Sequence, residues 1–292
     1  MQKVVEAKAV DYTGLIILSS IWGSSFVAVE IALENYSPLL IAFIRIALAA
    51  LILLPFVFYK SLSFPKDTKT ISILIIAGIL NNAIPFFLIS WGQQYINAST
   101  ASIMLACGPF ITLILSHYVT DDEKFTLYKL LGVILGFLGV FILLGDDFVH
   151  QRHDAIYGEI AILLSTIGYI GSGLLLRKVS HLSVTVCSTS MFITATLFLT
   201  PFVFFTQKIE TLSLNNSLVA IIFLAVVPTA IASLIRVRMV QKVGVQFMSQ
   251  VSYLIPIFAI FWSFVFFGEI PKLAAVFALG FILIGLFIRK LR

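Results

Sequence analysis

The chain is a succession of apolar runs, each bounded by charged or turn-forming residues and each about as long as a bilayer is thick. Ten such runs fall near residues 12–32, 38–59, 70–91, 98–118, 127–145, 155–176, 184–206, 217–239, 245–267 and 271–289. A helix rises about 1.5 Å per residue, so roughly 20 apolar residues cross a ~30 Å hydrocarbon core. No stretch has the ~10-residue alternation of a membrane β-barrel. The expected fold is an all-α integral membrane protein with ten transmembrane helices. Composition agrees, with 60% hydrophobic and 11% charged residues, against about 25% charged in soluble domains. The loops and tails that remain leave no room for an ATPase, a kinase or a nucleic-acid reader, so no nucleic-acid partner is expected.

The charges give a sidedness. With both termini cytoplasmic, fifteen Lys and Arg residues fall on the inside loops and tails. Three (Arg152, Lys208 and Lys272) fall outside, and Arg45 lies within the second span. Arg236, Arg238 and Lys242 count with the inside set. A bias this strong supports both the span count and the orientation. Cys107 and Cys187 both lie in apolar runs, where thiols behave as small hydrophobes, and no disulfide is expected. The first run is too long for a signal-peptide core and reads as an uncleaved span.

The chain also repeats itself. The stretch Leu51-Ile52-Leu53-Leu54-Pro55-Phe56-Val57-Phe58-Tyr59 aligns with Leu197-Phe198-Leu199-Thr200-Pro201-Phe202-Val203-Phe204-Phe205. Trp22 and Ser25 meet Tyr169 and Ser172, Pro109 meets Pro256, and Glu123 and Gly139 meet Glu269 and Gly285. The offset is half the chain, which divides it into residues 1–146 and 147–292. Each half holds five spans. Because five is odd, the second copy enters the membrane upside down relative to the first. Inverted repeats are a recurrent transporter architecture, in which the two halves exchange conformations to open one face and then the other.

Several stretches together resemble the EamA family of the drug/metabolite transporter superfamily. They are Trp22-Gly23-Ser24-Ser25-Phe26, Arg45, the run Ala83-Ile84-Pro85-Phe86-Phe87-Leu88-Ile89-Ser90-Trp91-Gly92, and Pro109. Asp122-Glu123-Lys124 and Gly132, Gly136 and Gly139 follow, and Pro256 and Gly268-Glu269 repeat the pattern. The resemblance covers nearly the whole chain. It implies a ten-helix secondary carrier of the bacterial inner membrane that moves amino acids, nucleobases, related metabolites or drugs. The sixth span departs from the pattern: Gly168-Tyr169 stands where many relatives carry a Trp-Ala pair.

Polar side chains cannot face lipid unsatisfied, so polar stripes on these spans must face protein or water. The candidate substrate-binding residues are Trp22, Ser25, Phe26, Asn82, Phe86, Ser102, Thr166, Tyr169, Ser172, Ser249, Gln250 and Tyr253. Converging near the midplane, they would line an amphipathic pocket with aromatic walls. The competing reading is inter-helix packing, in which Ser and Thr hydroxyls bond to backbone carbonyls. Three ionisable residues lie within the spans, Glu30, Arg45 and Glu159, each within about two turns of the outer edge. They would gate or couple transport, with Glu30 and Arg45 paired across adjacent helices, or else brace the helix ends in contact with interfacial water. With no strong charge expected at the midplane, the expected solute is neutral, zwitterionic or partly aromatic. Pro85, Pro109, Pro228 and Pro256 each remove a backbone donor and would serve as hinges or static kinks. Gly132, Gly136 and Gly139 form a small-residue ridge that suits either a helix of the same chain or a second copy in a homodimer.

Signals for enzyme chemistry are poor. The histidines (His117, His150, His153 and His181) lie at span ends or in loops. His150 and His153 with Asp146 and Asp147 read as solvated loop residues, so no metal and no cofactor are expected. No phosphate-binding Gly-Lys-Ser/Thr loop and no nucleophile elbow occur. The expectation is a carrier without catalysis, whose partners are a small-molecule substrate and membrane lipid. A lipid-linked carrier or flippase is the alternative within transport, and a membrane-embedded enzyme or sensor the alternative outside it.

Overall fold

The computed structural model describes residues 8–108, 110–111, 127–149, 153–206, 214–243, 245–248 and 251–288. Every regular element among them is helical, as the hydropathy pattern predicts. Six continuous helical runs are long and apolar enough to cross a bilayer. These are Ala9–Leu33 (α1), Pro38–Tyr59 (α2), Thr68–Gly92, His153–Gly173, Val184–Thr206 and Asn216–Met239. Shorter apolar helices run over Leu130–Ile142, Leu254–Phe267 and Leu273–Gly285. Residues 109 and 112–118 of the fourth expected span, Pro109 and His117 among them, and the Asp122-Glu123-Lys124 segment lie outside the described residues, as does His150.

Local sequence explains where the helices begin. The side chains of Ser37, Asp67, Asn97 and Asn215 accept backbone N–H bonds three residues on, from Leu40, Thr70, Thr100 and Leu218. Each thereby satisfies one of the donors that a helix start leaves open. Pro38 occupies the first turn of α2, where a missing N–H costs nothing.

Two of the long runs are not continuous α-helix, which the hydropathy pattern did not reveal. The third consists of α3 (Thr68–Gly78), a π-helical segment π1 (Ile79–Ala83) and α4 (Ile84–Gly92). α5 (Ala98–Leu105), α6 (Leu127–Val149), α7 (His153–Lys178) and α8 (Val184–Thr206) follow. The eighth expected span is then built as α9 (Asn216–Leu224), π2 (Ala225–Ile231) and α10 (Ala232–Val243). The chain closes with α11 (Val245–Met248), α12 (Val251–Phe267) and α13 (Leu273–Ile288). In π1 the N–H of Ile84 reaches back five residues to the carbonyl of Ile79. In π2 the N–H of Ala232 bonds to the carbonyls of Val227 and Thr229 and passes over Pro228. The prolines are the local cause, since Pro85 and Pro228 remove donors from the α-helical ladder and the wider turn absorbs the mismatch.

The packing joins the two halves throughout. α2 packs on α8 and on π2, α8 on α3 and π1, α6 on α13, and α5 on α12. α1 lies between α12 and α9, while α7 lies against α4, α3 and α5. The glycine ridge is used inside the chain: a Cβ on Gly139 would sit 2.7 Å from the Ala278 carbonyl, and one on Gly285 2.6 Å from that of Gly132. At one end of the bundle Lys242 Nζ meets Asp11 Oδ1 at 2.7 Å, tying the start of α1 to the end of α10. At the other end the Ser217 hydroxyl donates to the Ile31 carbonyl at 2.7 Å, and Asn35 donates to Ser217. Outward faces carry exposed Phe56, Phe58, Phe204 and Phe264, as expected of side chains whose solvent is lipid.

Candidate functional site

The two π segments each occupy the middle of their run, and several buried polar residues lie on them or contact them. Thr229, in π2, is buried, and its hydroxyl accepts two bonds from Arg45 on α2, from Nε at 3.1 Å and Nη2 at 3.0 Å. The same guanidinium lies over the ring of Phe86 on α4, 3.9 Å from Cζ to the centroid, a cation–π contact that strengthens as water is excluded. Beside Thr229, the carbonyl of Pro228 accepts the indole N–H of Trp22 at 3.2 Å. Tyr169 on α7 lies within electrostatic reach of both Arg45 and Arg236. A single cluster therefore draws residues from α1, α2, α4, α7, π2 and α10.

Arg45 differs from its sequence reading in two ways. It is only 4% exposed, so it does not reach interfacial water, and it does not pair with Glu30. Its long stem carries the charge away from its position in the second span to Thr229 in the middle of the bundle, where the sequence placed no charge. Two of its five N–H groups go to Thr229, and the others find no acceptor among the described residues. Arginine stays protonated at any working pH. An enclosed cation without an acid partner costs several kcal/mol of desolvation, which one hydroxyl and one ring offset only in part. Glu30 instead accepts the backbone N–H of Ala98 at 3.1 Å, where a carboxylate satisfies the open start of α5 and its dipole. Glu159 is fully buried on α7, about 15 Å of helix rise from Tyr169 and apart from the cluster.

α7 also packs against π1, which carries a second polar pair. The Nδ2 of Asn81 donates to the Oδ1 of Asn82 at 2.9 Å. The pair leaves Asn82 Nδ2 and Asn81 Oδ1 buried with no hydrogen-bond partner among the described residues, and the hydroxyl of Ser172 is in the same state. α7 meets π1 closely. A Cβ on Gly168 would stand 2.5 Å from the Leu80 carbonyl and 3.1 Å from Pro85 Cγ. The carbonyls just before Pro85 lose a donor to the proline, and one of them turns onto α7, so only a residue without a side chain fits there. This contact explains why a glycine stands at 168 and sets α7 directly against π1.

The remaining predicted residues divide clearly. Ser25 and Ser102 donate to carbonyls three residues back, at 2.6 and 2.7 Å, and Thr166 to one four back at 3.1 Å. Their hydroxyls are spent within their own helices. Phe26 is buried in the hydrophobic core, and Pro256 is buried within α12. Pro109, Ser249 and Gln250 lie outside the described residues, as does the side chain of Tyr253. Among the described residues no group of His, Cys, Asp and Glu could hold a metal ion. A cavity of about 170 Å³ between the start of α3 and α8 is lined by apolar side chains with Ser190 and Thr194, and its lining shares no residue with the cluster.

Sequence reasoning missed Thr229 and Arg236 as members of the cluster. Arg236 was counted with the inside loops although it falls within the expected eighth span, and that overlap was the available signal. Thr229 follows Pro228 in an otherwise apolar run, a second signal.

Comparison with known proteins agrees with this architecture. The uncharacterized transporter YoaV of Bacillus subtilis (strain 168) is 25% identical over 158 residues, 53% of this chain and 53% of its own. The chain thus spans about half the length of that relative. The S-adenosylmethionine/S-adenosylhomocysteine transporter of Chlamydia muridarum (strain MoPn / Nigg) is 24% identical over 276 residues, 91% of this chain and 86% of its own. A protein of known crystal structure superposes over 98% of each chain with a TM-score of 0.70 at 14% identity, a likeness of fold alone. The sequence pattern of the EamA-like transporters matches residues 12–145 and again residues 156–289. Carrying that pattern once in each half, the chain belongs to the EamA-like transporter family.

Proposed function

We propose that the chain is a secondary transporter that moves a small organic metabolite across the inner membrane of a bacterium by alternating access. Its two five-helix repeats, residues 1–146 and 147–292, would lie inverted in the membrane with both termini cytoplasmic. The observation that carries this reading is the pair of π segments, π1 and π2, at corresponding places in the two halves and around one polar cluster. Interrupted helices at corresponding positions of two repeats are where carriers bind their solutes, because the loosened backbone exposes polar groups to a cavity. Such turns also bend more readily than a regular helix, which suits a fold whose halves exchange shape.

The solute's own gradient, exchange or protons would supply the energy, since the sequence carries no nucleotide-binding loop. Amino-acid-like, nucleobase-like and drug-like solutes all suit an aromatic and amide-lined site. The name of the chlamydial relative points to a compound that joins an amino acid to a nucleoside. The test is uptake of labelled amino acids, nucleosides, S-adenosylmethionine and S-adenosylhomocysteine into proteoliposomes, with and without an imposed pH gradient. Saturable, ATP-independent uptake and counterflow of at least one solute is the expected result. No flux of any solute, with the protein shown to be folded and inserted, would overturn the reading.

A further inference from the structure

The cluster around Tyr169 has a chemical imbalance that its family membership does not explain. Arg45 is enclosed, its only described partners are a neutral hydroxyl and an aromatic ring, and part of its N–H fork points at no acceptor. Arg236, half-buried in the same run as Thr229, makes no hydrogen bond to any described residue, and both guanidinium groups act on Tyr169. On π1, one helical turn before the Phe86 ring that Arg45 covers, Asn82 offers an amide donor and Asn81 an amide acceptor, both buried and unused, and Ser172 on α7 adds an unused hydroxyl. The helices packed around Arg45 thus carry two cations, a phenol, two amides and a hydroxyl, and among the described residues no carboxylate pairs with either cation.

We propose that Arg45 and Arg236 receive the carboxylate of the transported solute, while the open amides of Asn81 and Asn82 hold a neutral polar part of the same molecule. This inference rests on the transport reading and names its substrate class. A planar guanidinium presents paired N–H donors that match a carboxylate. Phosphate shares that chemistry, but a dianion would bring two charges to a site in which only Arg45 is fully enclosed, and the amides of π1 are neutral. Amino acids and their nucleoside conjugates meet the requirement, whereas free nucleobases and cationic drugs do not. The expectation of a site without charge is replaced by one in which the solute itself supplies the counter-ion. Binding then relieves the desolvated cation, and the empty carrier is left with an uncompensated charge.

The experiment is ligand-dependent thermal unfolding of the full chain in detergent. The ligands are matched sets: S-adenosylhomocysteine against 5′-methylthioadenosine, and L-phenylalanine against its methyl ester and phenethylamine, with phenyl phosphate as the phosphate arm. A ligand that binds only the folded state raises the unfolding temperature. In at least one set the carboxylate-bearing member should stabilise the protein and its carboxylate-free counterparts should not. Arg45→Gln should weaken that binding by about 30-fold or more, the loss typical of a desolvated charge pair, while Arg45→Lys retains part of it. Without ligand, Arg45→Gln should unfold at the same temperature as the parent or higher, because it removes an uncompensated charge. Should that variant not fold, Arg236→Gln, at a half-exposed position, carries the same prediction for binding. Three results would overturn the proposal: no carboxylate member stabilises, esters or phenyl phosphate stabilise equally well, or both glutamine variants bind within about threefold of the parent. Carboxylate binding without flux in liposomes would instead sink the transport reading alone.

Discussion

The two broken runs use the same backbone device and fill it differently. In α3–π1–α4 the wide turn carries Asn81 and Asn82, which satisfy one another once and leave one donor and one acceptor open. In α9–π2–α10 the corresponding turn carries Thr229, clamped by Arg45 from α2, and Pro228, whose carbonyl is held by Trp22 from α1. π1 lies just before Pro85 and π2 contains Pro228, and both lie in the middle of a span. One turn is bound by its neighbours through a charge and an indole; the other is braced by close backbone packing against Gly168. Duplication therefore accounts for the geometry, and later divergence of a few side chains gives the site one cationic wall and one amide wall.

The largest effect should come from removing the brace on π1. Gly168→Val places atoms where the Leu80 carbonyl lies and should destabilise the protein by about 1–3 kcal/mol or more. Gly173→Val, on the same helix with nothing near its position, should cost far less, and unfolding of the two variants in detergent compares them. Equal losses would mean that the α7–π1 contact is not a brace.

The clamp on π2 comes next. Thr229→Val keeps the shape but deprives Arg45 of its acceptor, and should cost about 1–3 kcal/mol. Asn82→Leu, at the corresponding place in π1, should leave stability within about 1 kcal/mol, because it removes the unpaired donor of Asn82 and in exchange leaves that of Asn81 without its acceptor. It should nevertheless lower transport by about tenfold or more, as expected when one polar contact to a solute is lost. If Thr229→Val is harmless and Asn82→Leu unfolds the protein, the assignment of a clamped and an open wall is reversed.

A smaller effect is expected at the indole. Trp22→Phe keeps the ring but loses the bond to the Pro228 carbonyl, for about 0.5–1.5 kcal/mol. Faster amide hydrogen exchange in π2 than in π1 would check it.

The smallest effect separates the two runs by pH. α3 is capped by Asp67 and α9 by Asn215, and the Thr70 N–H holds the Asp67 carboxyl below the usual carboxylate range. A depressed pKa contributes stability above the unfolded value, near 4, and that stability is lost as pH falls through the folded value. Asn215 does not titrate. Acidification should therefore reduce amide protection at Thr70 and leave Leu218 unchanged, and equal changes at the two would contradict the assignment.

Much of this was legible in the sequence because it follows from quantities summed over many residues. Hydropathy over some twenty residues located the helices, and an offset of half the chain located the repeat. Trp22, Asn82, Tyr169 and Arg45 stood out because large polar or charged groups at membrane depth must find partners. What escaped was decided by single contacts. A π turn adds one residue to a helix, which changes neither its length nor its hydropathy enough to register, so Pro85 and Pro228 read as ordinary kinks. Ser25, Ser102 and Thr166 sat on promising stripes, yet a hydroxyl that can bond its own helix three or four residues back does so unless the fold offers something better. The sequence by itself determined the helices, the duplication and the family. Only the tertiary structure decided that Arg45 leaves Glu30 for Thr229 and that Arg236 and Tyr169 join it, because a buried charge takes its partners from whichever helices pack beside it.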